Sequence, residues 1–242
     1  MKKKAETIKA ENIRKTFYRT RKAIGWLGIF LSIILILLSL IPFFETKIQP
    51  SISHYYYTNL REIFTGVLCA TSLFLISYRG YSDKIFCLNE NIMTNIAGFL
   101  ALGVALMPTN PIDWDEKIDS FLPIYEPWTG NIHYIFAAGF FFILAHISHN
   151  IFVLGQVETK GKTDKPYNEN RIYRVCGWVI FISVLLIPAG KYLLKMEYST
   201  LPLEAVALVA FGISWIIKGR IFDENKSTGN AIYMENRKES KK

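Results

Sequence analysis

Six apolar runs, at about residues 24–44, 61–78, 92–107, 131–154, 171–193 and 201–218, constrain this chain more than any other feature of its sequence. A bilayer core about 30 Å thick takes roughly 20 apolar residues per crossing helix. The third and sixth runs are short, so they are expected to reach into the headgroups or to sit in locally thinned bilayer. The runs are continuous rather than split into apolar and polar faces, which separates a membrane bundle from a soluble one. Hydrophobic residues make up 51% of the chain, and little of it is left for a separate soluble domain. The expected fold is therefore all-α: a polytopic membrane bundle of six transmembrane helices over residues 24–218. A basic amphipathic segment, 1–23, precedes it, and a charged tail, 219–242, follows it.

A net charge of +8 would suit nucleic acid in a soluble protein, but here its distribution follows the spans. With the N-terminus placed in the cytoplasm, 23 of the 28 lysines and arginines fall on the inner side. Lys47, Arg61, Lys117, Lys191 and Lys195 remain outside. This is the positive-inside asymmetry of a six-span protein with both termini cytoplasmic. Nucleic acid is excluded as a partner, and membrane lipids are expected, with self-association left open. The location expected is an inner (plasma) membrane, crossed several times. The long charged leader and the lack of a small-x-small site argue against a cleavable signal peptide. Cys69 and Cys176 fall within spans and Cys87 in an inner loop, so no outer pair could form a disulfide, and all three are read as packing residues.

Several spans carry polar features. In the second, Glu62, Thr65, Cys69 and Ser72 share a stripe with Gly66 and should turn toward the bundle. Ala97, Ala101 and Ala105 give the third a face that a neighbouring backbone can approach closely. The fourth holds His133 at its outer end, with His146 about 20 Å further along the axis and His149 a turn beyond. His146 is either a functional group or a neutral imidazole bonded to a neighbouring helix. Pro188, followed by Ala189 and Gly190, should kink or end the fifth span. The outer loop 108–130, acidic and aromatic with four prolines, should form an irregular cover.

The stretch that draws the polar ends together is SISHYYYTNLRE, residues 51–62. Ser53, His54, Tyr56, Arg61, Glu62, His133 and Glu204 all fall at the outer ends of spans, and charges there are costly unless paired, hydrated or used. Two chemistries suit such a cluster. Arg61 and nearby lysines, bounded by tyrosines, could hold a phosphate or carboxylate headgroup. Alternatively, His54, His133, Glu62 and Glu204 are a sufficient ligand set for zinc with an open position, where bound water would ionise near neutral pH and Ser53 would stand by. No HExxH, P-loop, GxSxG or GxGxxG motif occurs in the right context.

The six-span plan and the PSIS segment Pro50, Ser51, Ile52 and Ser53, leading to Ile63 and Phe64, resemble the Frag/DRAM-type membrane proteins and their bacterial relatives of unknown function. Glu204 in the last span is a further match. The resemblance covers the layout of about 200 residues, and it implies a lipid-linked or regulatory membrane protein more than an enzyme. His54 stands where that pattern has an acidic residue. The chain departs from the ceramidase/adiponectin-receptor class, which places HxxxH in a late span. Here the close pair is His146 and His149 in the fourth span, and the last two spans have no histidine. The expected function is a non-catalytic lipid- or small-ligand-binding membrane protein with an outward-facing polar pocket. The alternative is a metal-dependent intramembrane lipid hydrolase.

Overall fold

The computed structural model describes residues 2–80, 85–112, 127–157, 168–193, 197–222 and 232. Among them all regular structure is helical: α1 (Lys2–Ser39), α2 (Arg61–Ser77), α3 (Glu90–Leu106), α4 (Pro127–His146), the short α5 (Phe152–Val157), α6 (Asn168–Pro188) and α7 (Thr200–Lys218). Four stretches are long and apolar enough to cross a membrane: Glu11–Ser39, Gly130–Leu154, Glu169–Pro188 and Thr200–Lys218. The other two expected crossings, α2 and α3, have 17 residues each. At 1.5 Å per residue they are about 26 Å long, just short of a typical hydrocarbon core. Ile33, Leu37, Leu73, Phe99, Ile135, Ile182, Leu186 and Val206 are exposed on the helix surfaces. Apolar side chains in such number on an outer surface suit lipid rather than water, so the chain has the surface of a membrane protein.

The helices pack as a ring in chain order. α1 lies against α2, α2 against α3, α3 against α4, α4 against α6, α6 against α7, and α7 closes back onto α1. Arg21 of α1 meets residues at the end of α2, the start of α3 and the end of α7, so the N-terminal part of α1 shares one end of the ring with the ends of α2, α5 and α7 and the starts of α3 and α6. The opposite end collects the end of α1, the starts of α2, α4 and α7, and the end of α3. Sites can therefore form at two levels from residues far apart in the chain.

The α1–α7 closure depends on absent side chains. A Cβ on Gly212 would lie 2.5 Å from the Gly25 carbonyl oxygen, and one on Gly25 would lie 2.7 Å from that of Gly212. Backbones this close are the usual way for helices to associate in lipid, where apolar burial gives no net drive. Gly212→Ala is expected to cost roughly 1–3 kcal/mol, because neither backbone can yield. A thermal unfolding midpoint in detergent equal to wild type would show that the two helices are not held at this distance. Between α2 and α3 the Ser72 hydroxyl donates to the Gly98 carbonyl at 2.7 Å, and Ala97, Ala101 and Ala105 are fully buried.

The basic segment 1–23 is helical and continuous with the first span, since α1 runs without a break from Lys2 to Ser39. It is an extension of the first span, about six turns long. Of the stripe Glu62, Thr65, Cys69 and Ser72 with Gly66, only Ser72 turns inward: Glu62 and Gly66 are exposed, Thr65 and Cys69 half-buried. The bulkier face Phe64, Leu68, Thr71, Ser72 and Leu75 packs instead, since burying large apolar groups gives more contact. Thr65 satisfies its hydroxyl on the Arg61 carbonyl of its own helix. Cys87 is exposed, so it is not a packing residue as Cys176 is. Pro188 does end the regular helix, which passes into a π-helical turn over Ala189–Leu193. The centre of the acidic cover, 113–126, the loop 158–167, Lys195 and nearly all of the tail lie outside the described residues, as does the side chain of Lys191.

Candidate functional site

At the end of the ring shared by the start of α2 and the start of α7, the segment Pro50–Thr58 packs into the bundle. Ser51, Ile52, Ser53, Tyr55 and Tyr56 are buried, with Ser53–Tyr57 wound into a 3-10 turn. Buried irregular backbone must find partners for its amides and carbonyls, and α1 and α7 supply them. The Glu204 carboxylate accepts the Ile52 N–H at 2.6 Å, the Leu201 N–H donates to the Pro50 carbonyl at 2.9 Å, and the Tyr55 hydroxyl donates to Ser39 Oγ at 3.2 Å. The Ser51 hydroxyl closes a local turn with His54, pairing with its Nδ1 at 2.5 Å and accepting its backbone N–H. Tyr57 donates to the Thr109 carbonyl beyond α3. The segment is a plug, seated from three sides.

Five of the seven candidate residues belong to this arrangement. Ser53, His54 and Tyr56 are part of the plug, and Glu204 anchors it. Arg61 is half-buried at its rim, donating from Nε to the Tyr56 carbonyl at 2.8 Å with its guanidinium 5.1 Å from the Tyr56 ring centroid. The other two stand apart. Glu62 is exposed on α2. His133, 2% exposed, donates from Nδ1 to the Met107 carbonyl at 2.6 Å, a role the carbonyl dictates because it can only accept. Among the described residues no three His, Cys, Asp or Glu side chains form a group able to hold a metal ion. The four proposed zinc ligands thus give no support to a three-ligand centre.

His146 and His149 are joined through an amide rather than through a shared ligand. The regular helix ends at His146 and widens into the π-helical turn Ile147–Ile151, a feature frequent at functional sites. His146 Nε2 donates to the Cys87 carbonyl at 2.6 Å. Its Nδ1 then accepts from Asn150 Nδ2, and the Asn150 oxygen accepts from His149 Nδ1, both at 3.0 Å. This hydrogen-bond chain runs in one direction, from His149 through Asn150 to His146 and on to the Cys87 carbonyl. It ties α4 to the segment before α3, as expected of an imidazole bonded to a neighbouring element.

The opposite end holds a site that the sequence did not announce. Arg21 of α1, 4% exposed, and Glu90 of α3, 2% exposed, pair at 3.1 Å. Tyr78, just past α2, bridges them: Arg21 Nε donates to its hydroxyl at 2.7 Å, and the hydroxyl donates to Glu90 Oε1 at 2.6 Å. The Tyr78 hydroxyl thus accepts from one charged partner and donates to the other. Arg21 also reaches the Lys218 carbonyl at the end of α7. The buried Lys218 ammonium donates to the Phe152 carbonyl at 2.6 Å and lies 5.2 and 5.3 Å from the Phe152 and Tyr173 rings. The buried carboxyl groups of Glu90 and Glu169 carry the opposite charge to it. Two cations and two carboxylates are thus enclosed by Phe17, Tyr78, Phe152, Tyr173 and Trp215.

Local chemistry explains part of this. Asn89 caps α3 by accepting the Ile92 N–H, and a carboxylate at the next position suits the helix N-terminus. Gly80 leaves the room Glu90 occupies, since a Cβ there would meet Glu90 Cγ at 2.4 Å. Arg21 was hidden among nine lysines and arginines of the leader, and Lys218 at the edge of the basic tail. The readable signals were Glu90 directly after Asn89 at the head of an apolar run, and Gly80 beside Tyr78.

Comparison of the chain with known protein families, with curated proteins and with solved structures finds no match in any of the three.

Proposed function

We propose that this chain is a six-span membrane protein with both termini cytoplasmic, and that its outward-facing end binds the polar head of a lipid or small ligand without catalysing its conversion. The plug carries this reading. A polar, tyrosine-rich segment is held rigidly at the mouth of the ring, with the half-buried guanidinium of Arg61 and the half-buried imidazole of His54 at its rim. Arginine presents a planar donor array suited to phosphate or carboxylate, and a preorganised site loses less entropy on binding. The charge asymmetry of the loops supports the orientation. The likeness to Frag/DRAM-type proteins points the same way, because the Glu204–Ile52 hydrogen bond joins the two stretches on which it rests.

Mass spectrometry of the lipids and small molecules retained by the purified, detergent-solubilised protein tests the reading. Wild type should retain a defined anionic species, and Arg61→Ala should lower its occupancy by about tenfold, the loss expected for one charge-assisted contact. Equal retention by the two proteins, with the same folded fraction, would rule out a headgroup site at Arg61.

A further inference from the structure

We propose that a second lipid site, for one anionic phospholipid, lies at the other end of the molecule, in the cleft between the N-terminal extension of α1 and the end of α2. The cleft has a volume of about 780 Å³, within the range of ligand sites, roughly 300–1,000 Å³. Ile8, Ile13 and Phe17 line it from α1, Tyr78 and Arg79 from the end of α2. Ile8 and Ile13 are 51% and 62% exposed, in a leader that is otherwise strongly basic. The threonines of the same wall, Thr16 and Thr20, donate their hydroxyls to carbonyls of their own helix, so they offer no donor to the cleft. The wall is thus mostly apolar, with Asn12 and Ser77 as its other polar residues and Arg79 as its cation.

The charge selects the occupant. Residues 1–23 hold nine lysines and arginines against two glutamates, and Arg79 is exposed in the cleft itself. Apolar contacts for an acyl chain beside a guanidinium for a phosphate match an anionic phospholipid. The chain's own tail is a poorer complement: residues 223–242 carry five lysines and arginines against four carboxylates, so they bring no net negative charge to a basic wall. The site does not depend on which side of the membrane this end faces. It also touches the buried charges, because Phe17 stacks on Tyr78 at 5.2 Å and Arg21 lies 4.1 Å over Phe17. An occupant would brace the contacts that hold α1, α2 and α3 together.

The test adds dioleoyl phosphatidylglycerol or dioleoyl phosphatidylcholine to the full-length protein in detergent micelles and counts bound lipid by native mass spectrometry. Phosphatidylglycerol should bind about fivefold or more tightly than phosphatidylcholine, as one basic contact implies, and Arg79→Gln should remove about that factor. Thr16→Trp, which fills the cleft from an exposed position, should abolish the tight binding while circular dichroism and elution volume stay those of wild type. Equal binding of the two lipids, or a preference untouched by both substitutions, would overturn the proposal. So would a rise of tenfold or more in phosphatidylglycerol binding on deletion of residues 223–242, because the cleft would then be the seat of the tail.

Discussion

Replacing Glu90 by alanine should cost the protein about 3–5 kcal/mol, the loss typical when one partner of a buried ion pair is removed. The carboxylate accepts from both Arg21 and Tyr78. Without it, the guanidinium of a residue 4% exposed keeps its charge with no carboxylate in contact, and the Tyr78 hydroxyl loses its acceptor. The neighbouring cation, Lys218, makes matters worse, since the two positive groups were balanced by Glu90 and Glu169. Replacing both partners, Arg21→Met with Glu90→Leu, should recover most of the loss, because burying charge is itself expensive. Titration with a denaturing detergent, monitored by tryptophan fluorescence, gives both values. A Glu90→Ala protein within about 1 kcal/mol of wild type would mean that Arg21 escapes to water and that the cluster is not closed.

Glu204→Ala should loosen the plug without unfolding the ring. The Ile52 N–H would lose its acceptor in a buried place, at a cost of about 1–3 kcal/mol. Glu204→Gln keeps an oxygen at the same reach and should stay near wild type. Cysteine placed at Ser53, buried in the native protein, reports the plug directly. Its reaction with a water-soluble maleimide should rise by about an order of magnitude or more with Glu204→Ala, the factor that corresponds to 1.4 kcal/mol of local opening, and little with Glu204→Gln. Equal labelling in all three backgrounds would show that the plug is held by its other bonds, from Leu201 and Tyr55.

The fold class was legible because long apolar runs leave a chain few alternatives in a membrane: backbone groups must be satisfied within each helix. The alanine face of α3, the stop at Pro188 and the polar character of 51–62 were equally readable, since each rests on residue type and helical spacing alone. Burial in α2 was not. Its small and polar stripe and its bulky stripe each follow the helical period, and only the positions of α1 and α3 decide which of them packs. The same holds for the candidate residues. Ser53, His54, Tyr56, Arg61 and Glu204 come together because the ring brings α7 beside the plug, whereas His133 and Glu62 share their level in the sequence but not their contacts.

Residue by residue, then, the chain determined by itself that it is helical, apolar enough for a membrane, and divided into these elements with charge concentrated on alternate connections. Those properties come from local hydropathy, helical period and proline, and they need no partner. The closure of α7 on α1, the anchoring of Ile52 by Glu204, and the meeting of Arg21, Tyr78, Glu90 and Lys218 were decided only by tertiary structure. Each joins residues between 12 and 197 positions apart, and their pairing exists only once antiparallel packing has fixed which helix ends share a level. A buried charge is stable only beside its partner, and nothing local to Arg21 says that its partner is Glu90.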